Sequence, residues 1–69
     1  MINYIIKKSL DEDRIIQIIY IKKDIITERK IKVKKIYPDK IKAYCYLRKE
    51  IRYFKKENIL SAKIIKDWR

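Results

Sequence analysis

Between Lys40 and Arg48 the side chains alternate with a period of two. Ile41, Ala43, Cys45 and Leu47 fall on one side, and Lys42, Tyr44, Tyr46 and Arg48 fall on the other. A helix would scatter these residues around its axis. An extended chain sorts them into one apolar and one polar face. The segment therefore predicts a strand over residues 40–47 that turns one face to a core, with Arg48 prolonging the polar face. A lone strand has nothing to bury that face against, so the rest of the chain must supply its partners.

It supplies them in short pieces. Residues 14–21 are rich in isoleucine, too short for a typical helix and apolar on both faces, which predicts a central strand. Residues 25–37 predict a second, with Ile31 and Val33 inward and Lys30, Lys32 and Lys34 outward. Residues 51–55 and 60–66 predict two more. Lys22-Lys23-Asp24, Pro38-Asp39 and Arg48-Lys49-Glu50 are turn chemistry, and residues 56–59 read as one helical turn.

At the N-terminus, Ile2, Ile5, Ile6 and Leu10 recur at spacings of three and four, which predicts a helix over residues 2–10 with Lys7 and Lys8 pointing away. Asp11, Glu12 and Asp13 would oppose the macrodipole at a helix C-terminus, so they read as a solvated connector. One helix and five short strands predict a mainly β, α+β domain. The form expected is a curled antiparallel sheet or small barrel, which also removes sheet edges. The chain has no glycine to ease the bends of a tight barrel.

Sixty-nine residues predict one domain over residues 1–69. A domain of this size buries only roughly 60% of the surface its unfolded chain exposes, so the core is modest. The hydrophobic share of 48% is too high for a disordered chain. The longest apolar stretch, Ile15 to Ile21, is interrupted by Gln17 and is far shorter than the roughly 20 residues of a membrane-spanning helix. No leader pattern opens the chain, so a cytoplasmic location and no membrane partner are expected. The net charge of +11 suits a polyanion-binding surface. However, isoleucine and lysine make up nearly half the residues, as an AT-rich coding sequence would produce without selection for binding. Position therefore carries more weight than total charge.

Catalysis finds little support. Histidine is absent, which removes the usual group for proton transfer near neutral pH. Asp11, Glu12 and Asp13 fall in the predicted connector, and Ser9 and Ser61 have no base near them in the sequence. Cys45, the only cysteine, falls on the apolar face of its strand and reads as a packing residue. No glycine loop, metal cluster or cofactor motif is present. A non-enzymatic protein without a cofactor is expected.

The polar face of the 40–47 strand is better suited to binding. Bases stack on aromatic rings while Lys and Arg neutralise phosphates. Lys42, Tyr44, Tyr46 and Arg48 offer both, and Arg52 and Lys55 extend the set. The tyrosines have a plainer reading, as β-formers covering a second apolar layer beneath the helix. Arginine is the minority among the 20 basic residues, and its fork suits bidentate phosphate contact. Arg29 and Arg52 are therefore singled out, the alternative being surface ion pairs with Glu28 or Glu50.

From about Ser9 to Ile65 the chain resembles a WYL domain. A short helix ends near Ser9-Leu10 and leads to an apolar strand ending at Tyr20. Arg29 opens a second strand, Ala43-Tyr44-Cys45 follows the name-giving strand, and Arg52-Tyr53-Phe54-Lys55-Lys56-Glu57-Asn58-Ile59 matches an Arg-x-Phe-Arg block. Asp39, Lys40 and Ile41 stand at the Trp-Tyr-Leu positions, and Lys55 and Asn58 replace arginines of the pattern. The resemblance implies an Sm-like or SH3-like β-barrel, with Tyr20, Arg29, Arg52 and Lys55 on its ligand surface. It also implies a bacterial regulator. Most family members lie behind a helix-turn-helix domain, and this chain would be a free-standing one.

The expected function is regulation or sensing through single-stranded nucleic acid or a nucleotide-like anion. Tyr20, Arg29, Lys42, Tyr44, Tyr46, Arg48, Arg52 and Lys55 would carry it. The rival is a protein-interaction module that pairs with itself or a partner regulator through an exposed strand edge, its lysines serving solubility alone.

Overall fold

The structure is a computed structural model and describes residues 2–65. Helix α1 (Ile2–Glu12) is followed by β1 (Ile15–Lys22), β2 (Ile25–Ile36), β3 (Lys40–Cys45) and β4 (Glu50–Lys55). A single 3-10 turn (Lys56–Asn58) then leads to β5 (Ile59–Ile64). The strands form one antiparallel sheet in the order β4-β3-β2-β1-β5. This is the small, mainly β fold of barrel type expected from the sequence.

The sheet curls because β2 is shared between two partners. Its residues 25–32 pair with β1, its residues 31–36 pair with β3, and only Ile31 and Lys32 serve both. Just past that overlap Val33 lies opposite Ala43 and Lys35 lies opposite Lys42, which leaves Lys34 as an extra residue. A second extra residue, Leu60, sits where Ile19 pairs with Ser61 and Tyr20 with Ile59. Each bulge bends its strand and resets the alternation of faces. Both show as doublets of exposed neighbours, Lys34-Lys35 and Leu60-Ser61. Bulges thus bend this sheet without glycine.

The inner face is almost wholly aliphatic. Ile16 and Ile18 from β1, Ile31 and Val33 from β2, and Ile41, Ala43 and Cys45 from β3 are buried with Phe54, Ile59 and Ile6. Helix α1 lies against β1, β2 and β5 and covers one end of this face. Ile6 inserts into the core while Ile2, Ile5 and Leu10 pack around it. Cys45 has no exposed surface and no disulfide partner among the described residues. Its thiol should react slowly with an alkylating reagent in the folded protein and rapidly in denaturant. Equal rates in the two conditions would overturn the inward register of β3.

Three details depart from the sequence reading. First, α1 runs on through Asp11 and Glu12, which were expected in the connector. Each acid meets a lysine one turn back, Lys7–Asp11 at 3.2 Å and Lys8–Glu12 at 2.9 Å, which offsets the unfavourable dipole. The hydrogen bond from Lys8 holds the Glu12 carboxyl below its ordinary pKa, and the same bond raises that of Lys8. The helix stops at Asp13, which takes a left-handed φ of 55°.

Second, β3 ends at Cys45, so Leu47 does not share its buried face and is 64% exposed. Cys45 pairs with Glu50, and residues 46–49 must make the turn between them, with Lys49 at a φ of 56°. Tyr46 keeps one ladder bond, from its N–H to the Lys30 carbonyl at 3.0 Å. Third, β5 begins at Ile59 and ends at Ile64 where residues 60–66 were expected, and Lys66 lies outside the described residues. The two-residue turn from β1 to β2 places both Lys23 (φ 50°) and Asp24 (φ 64°) in the left-handed region, which suits the twist of a hairpin.

Candidate functional site

The end of the inner face away from α1 is open. Inward positions at the outer reaches of β1, β2 and β4 project there: Tyr20 and Lys22, Ile25, Thr27 and Arg29, and Arg52 and Phe54. They enclose a hollow of about 230 Å³, with Lys23 and Tyr53 at its rim and Cys45 beneath. The reason is register. Arg29 shares the face of Ile31 and Val33, and Arg52 lies opposite Ala43 on the face of Phe54. The same alternation that builds the core delivers two guanidinium groups to its open end.

Aromatic contacts shape the hollow. Tyr20 meets Phe54 edge to face at 5.1 Å and 85°. The Lys55 backbone N–H donates to the Tyr20 hydroxyl at 3.2 Å, linking β1 to the edge strand β4 across the barrel. The Thr27 hydroxyl donates to the Tyr20 carbonyl at 3.4 Å. Tyr20 therefore holds the site together whatever else it touches.

The two arginines differ. Arg52 Nη1 donates to Glu50 Oε2 at 3.2 Å, one of the ion pairs the sequence allowed. Both partners are partly exposed, so this pair is worth little and gives way readily. Glu28 pairs with Lys30 at 3.7 Å. Arg29 has no carboxylate partner among the described residues.

A second hollow, of about 460 Å³, adjoins the first. Tyr20, Lys22 and Tyr53 border both, and Lys40, Lys55 and Asn58 complete the second. No aspartate or glutamate lines either one. Around its edge the Lys40 ammonium lies 5.1 Å from the Tyr53 ring and 5.6 Å from the Tyr37 ring, and the two rings are 6.3 Å apart. Lys35 lies 5.3 Å from the Tyr37 ring on its own account.

Of the residues singled out in the sequence, Tyr20, Arg29 and Arg52 line the first hollow, and Lys55 lines the second with Tyr20. Lys42, Tyr44 and Tyr46 do not join them. Lys42 and Tyr44 lie on the outer face of β3, opposite Tyr53 and Ile51, and Tyr44 meets Tyr46 edge to face at 4.9 Å. Arg48 sits in the exposed β3–β4 turn. Arg52 therefore does not extend the Lys42–Tyr44 face, because β4 turns it to the opposite side. Helix α1 packs on β1, β2 and β5, so the β3 tyrosines are not under it. Sequence reasoning passed over Lys22, Lys40, Tyr37, Tyr53 and Asn58. The one available signal was Tyr53 beside Arg52 within the aromatic-basic block.

No protein-family model and no curated protein sequence matches the chain. Among solved structures it is similar to proteasome accessory factor B/C (PafBC) of Arthrobacter aurescens, with a TM-score of 0.79 and 23% identity over 86% of this chain. The chain spans 10% of that protein's length. At this identity the likeness is one of fold alone.

Proposed function

We propose that this chain is a non-enzymatic regulatory or sensor domain that binds single-stranded nucleic acid or a nucleotide-like anion at the open end of its barrel. The observation that carries the reading is the lining of that end. Arg29 and Arg52 share a hollow walled by Tyr20 and Phe54, and no carboxylate lines it. Guanidinium groups at the mouth of an apolar recess suit a phosphate attached to a flat ring.

Binding of a labelled single-stranded oligonucleotide tests this. Affinity should fall steeply as salt rises, because each phosphate contact releases a condensed counterion. Arg52→Ala should weaken binding by about tenfold without unfolding the domain, since charge-assisted hydrogen bonds contribute about 1.5–3 kcal/mol. Lys7→Ala, on the far side of α1 and paired with Asp11, should change it little. Equal effects of the two substitutions would reduce the interaction to diffuse attraction by a lysine-rich surface.

One observation favours the rival reading. Strands β4 and β5 end the sheet, each paired on one side among the described residues, and they carry Ile51 (45% exposed) and Leu60 (47% exposed). An interaction module would use these edges. It would self-associate or bind a partner regulator with little dependence on salt.

A further inference from the structure

We propose that the open end is a short track for a single-stranded oligonucleotide, taking two successive nucleotide units with Tyr53 as the platform between them. This rests on the anion-binding reading above and specifies its ligand class. A pocket for a single nucleotide would need only the first hollow. Here a second one follows directly, sharing Tyr20, Lys22 and Tyr53 with the first and adding Lys40 and Lys55. Each hollow thus carries its own cations beside a common aromatic wall. That is the repeat of a nucleic-acid strand, in which phosphate and base alternate.

Tyr53 is suited to the platform role. It is 54% exposed, so its ring is accessible to a ligand. It is also steadied: the Lys40 ammonium lies 5.1 Å from its ring and 5.6 Å from that of Tyr37, and the two rings are 6.3 Å apart. Ring and cation are therefore arranged before a ligand arrives, which lowers the ordering cost of binding. The track also has an end. The next depression is lined by Asp39 and Glu57 as well as Lys55 and Lys56. Two carboxylates there offset the two ammonium groups, whereas none lines the first two hollows, so the favourable run covers two units.

The test compares a mononucleotide, a dinucleotide and a longer single strand, in ribose and deoxyribose forms, by calorimetry or fluorescence anisotropy at fixed salt. The dinucleotide should bind about tenfold more tightly than the mononucleotide, the gain expected from one added stacked base. Further lengthening should add little. Tyr53→Ala should abolish the gain, weakening the dinucleotide more than the mononucleotide, while Tyr53→Phe, which keeps the ring, should retain it. The sugar form that shows the step identifies the natural backbone. If mononucleotide and dinucleotide bind equally and Arg52→Ala weakens both, the single-site reading stands and the track is overturned. If Arg52→Ala changes neither, both readings fall. A gain that survives Tyr53→Ala removes the platform.

Discussion

Replacing Ile6 with Ala is expected to destabilise the domain by about 2–5 kcal/mol, enough to unfold much of it. Ile6 is 1% exposed and is the side chain that α1 buries in the core. Its removal deletes apolar contacts and leaves a cavity between the helix and the sheet. Among the described residues, Ile2, Ile5 and Leu10 only flank the insertion and do not replace it. A domain of this size has about 5 kcal/mol or less in reserve. Thermal or urea unfolding followed by circular dichroism measures the loss. A variant melting with the parent would show that the helix contributes nothing to the fold. Tyr4→Ala, at a position 57% exposed, serves as the control and should be nearly neutral.

The elements were legible because their signals are local. Alternation at Ile41, Ala43 and Cys45 marked β3, and the three–four spacing of Ile2, Ile5 and Ile6 marked α1. Even the bulges left a trace, since Lys34-Lys35 breaks the alternation of Ile31 and Val33 before Ile36 resumes it. Element ends were less legible, because they depend on partners. Leu47 fits the period of β3, but the pairing of Cys45 with Glu50 expels it into the turn. Asp11 and Glu12 look like helix breakers until Lys7 and Lys8 reach them.

The site was harder still, for a topological reason. Which polar residue on a strand enters a barrel mouth depends on where the core face runs out. Arg29 sits two residues before the buried Ile31 and on the same face, but nothing local says that the core ends there. Family resemblance placed Tyr20, Arg29, Arg52 and Lys55 together, and spacing alone did not. Local reasoning favoured Lys42, Tyr44 and Tyr46 instead, since a tyrosine-lysine face looks like a binding face. That face points outward because Ile41, Ala43 and Cys45 fill the inner one, and Arg52, opposite Ala43, shares the inner side.

Ser9→Ala should cost about 2–4 kcal/mol, a large effect for the loss of one oxygen atom. Ser9 has no exposed surface, and nothing in the sequence marked its hydroxyl as a structural bond. Strand β1 begins at Ile15 opposite Lys32, and one further step of that register would set Arg14 against Val33. The Ser9 hydroxyl stands between the two. It accepts from the Val33 N–H at 2.9 Å and donates to the Arg14 carbonyl at 2.6 Å. The Arg14 N–H donates in turn to the Ser9 carbonyl at 3.0 Å. One residue thus ties the end of α1 to the start of β1 and to β2 immediately before its bulge. Alanine would leave a buried amide and a carbonyl without partners, each costing about 1–3 kcal/mol. Urea denaturation gives the total loss, and amide hydrogen exchange reports the site itself. The Val33 amide should exchange slowly in the parent and much faster in the variant, beyond the acceleration seen at Ile18 and Ile41. Should the loss stay below about 0.5 kcal/mol with the Val33 amide still protected, the strand has closed directly onto Arg14. The hydroxyl would then be a spacer in the ladder and not the bond that holds it.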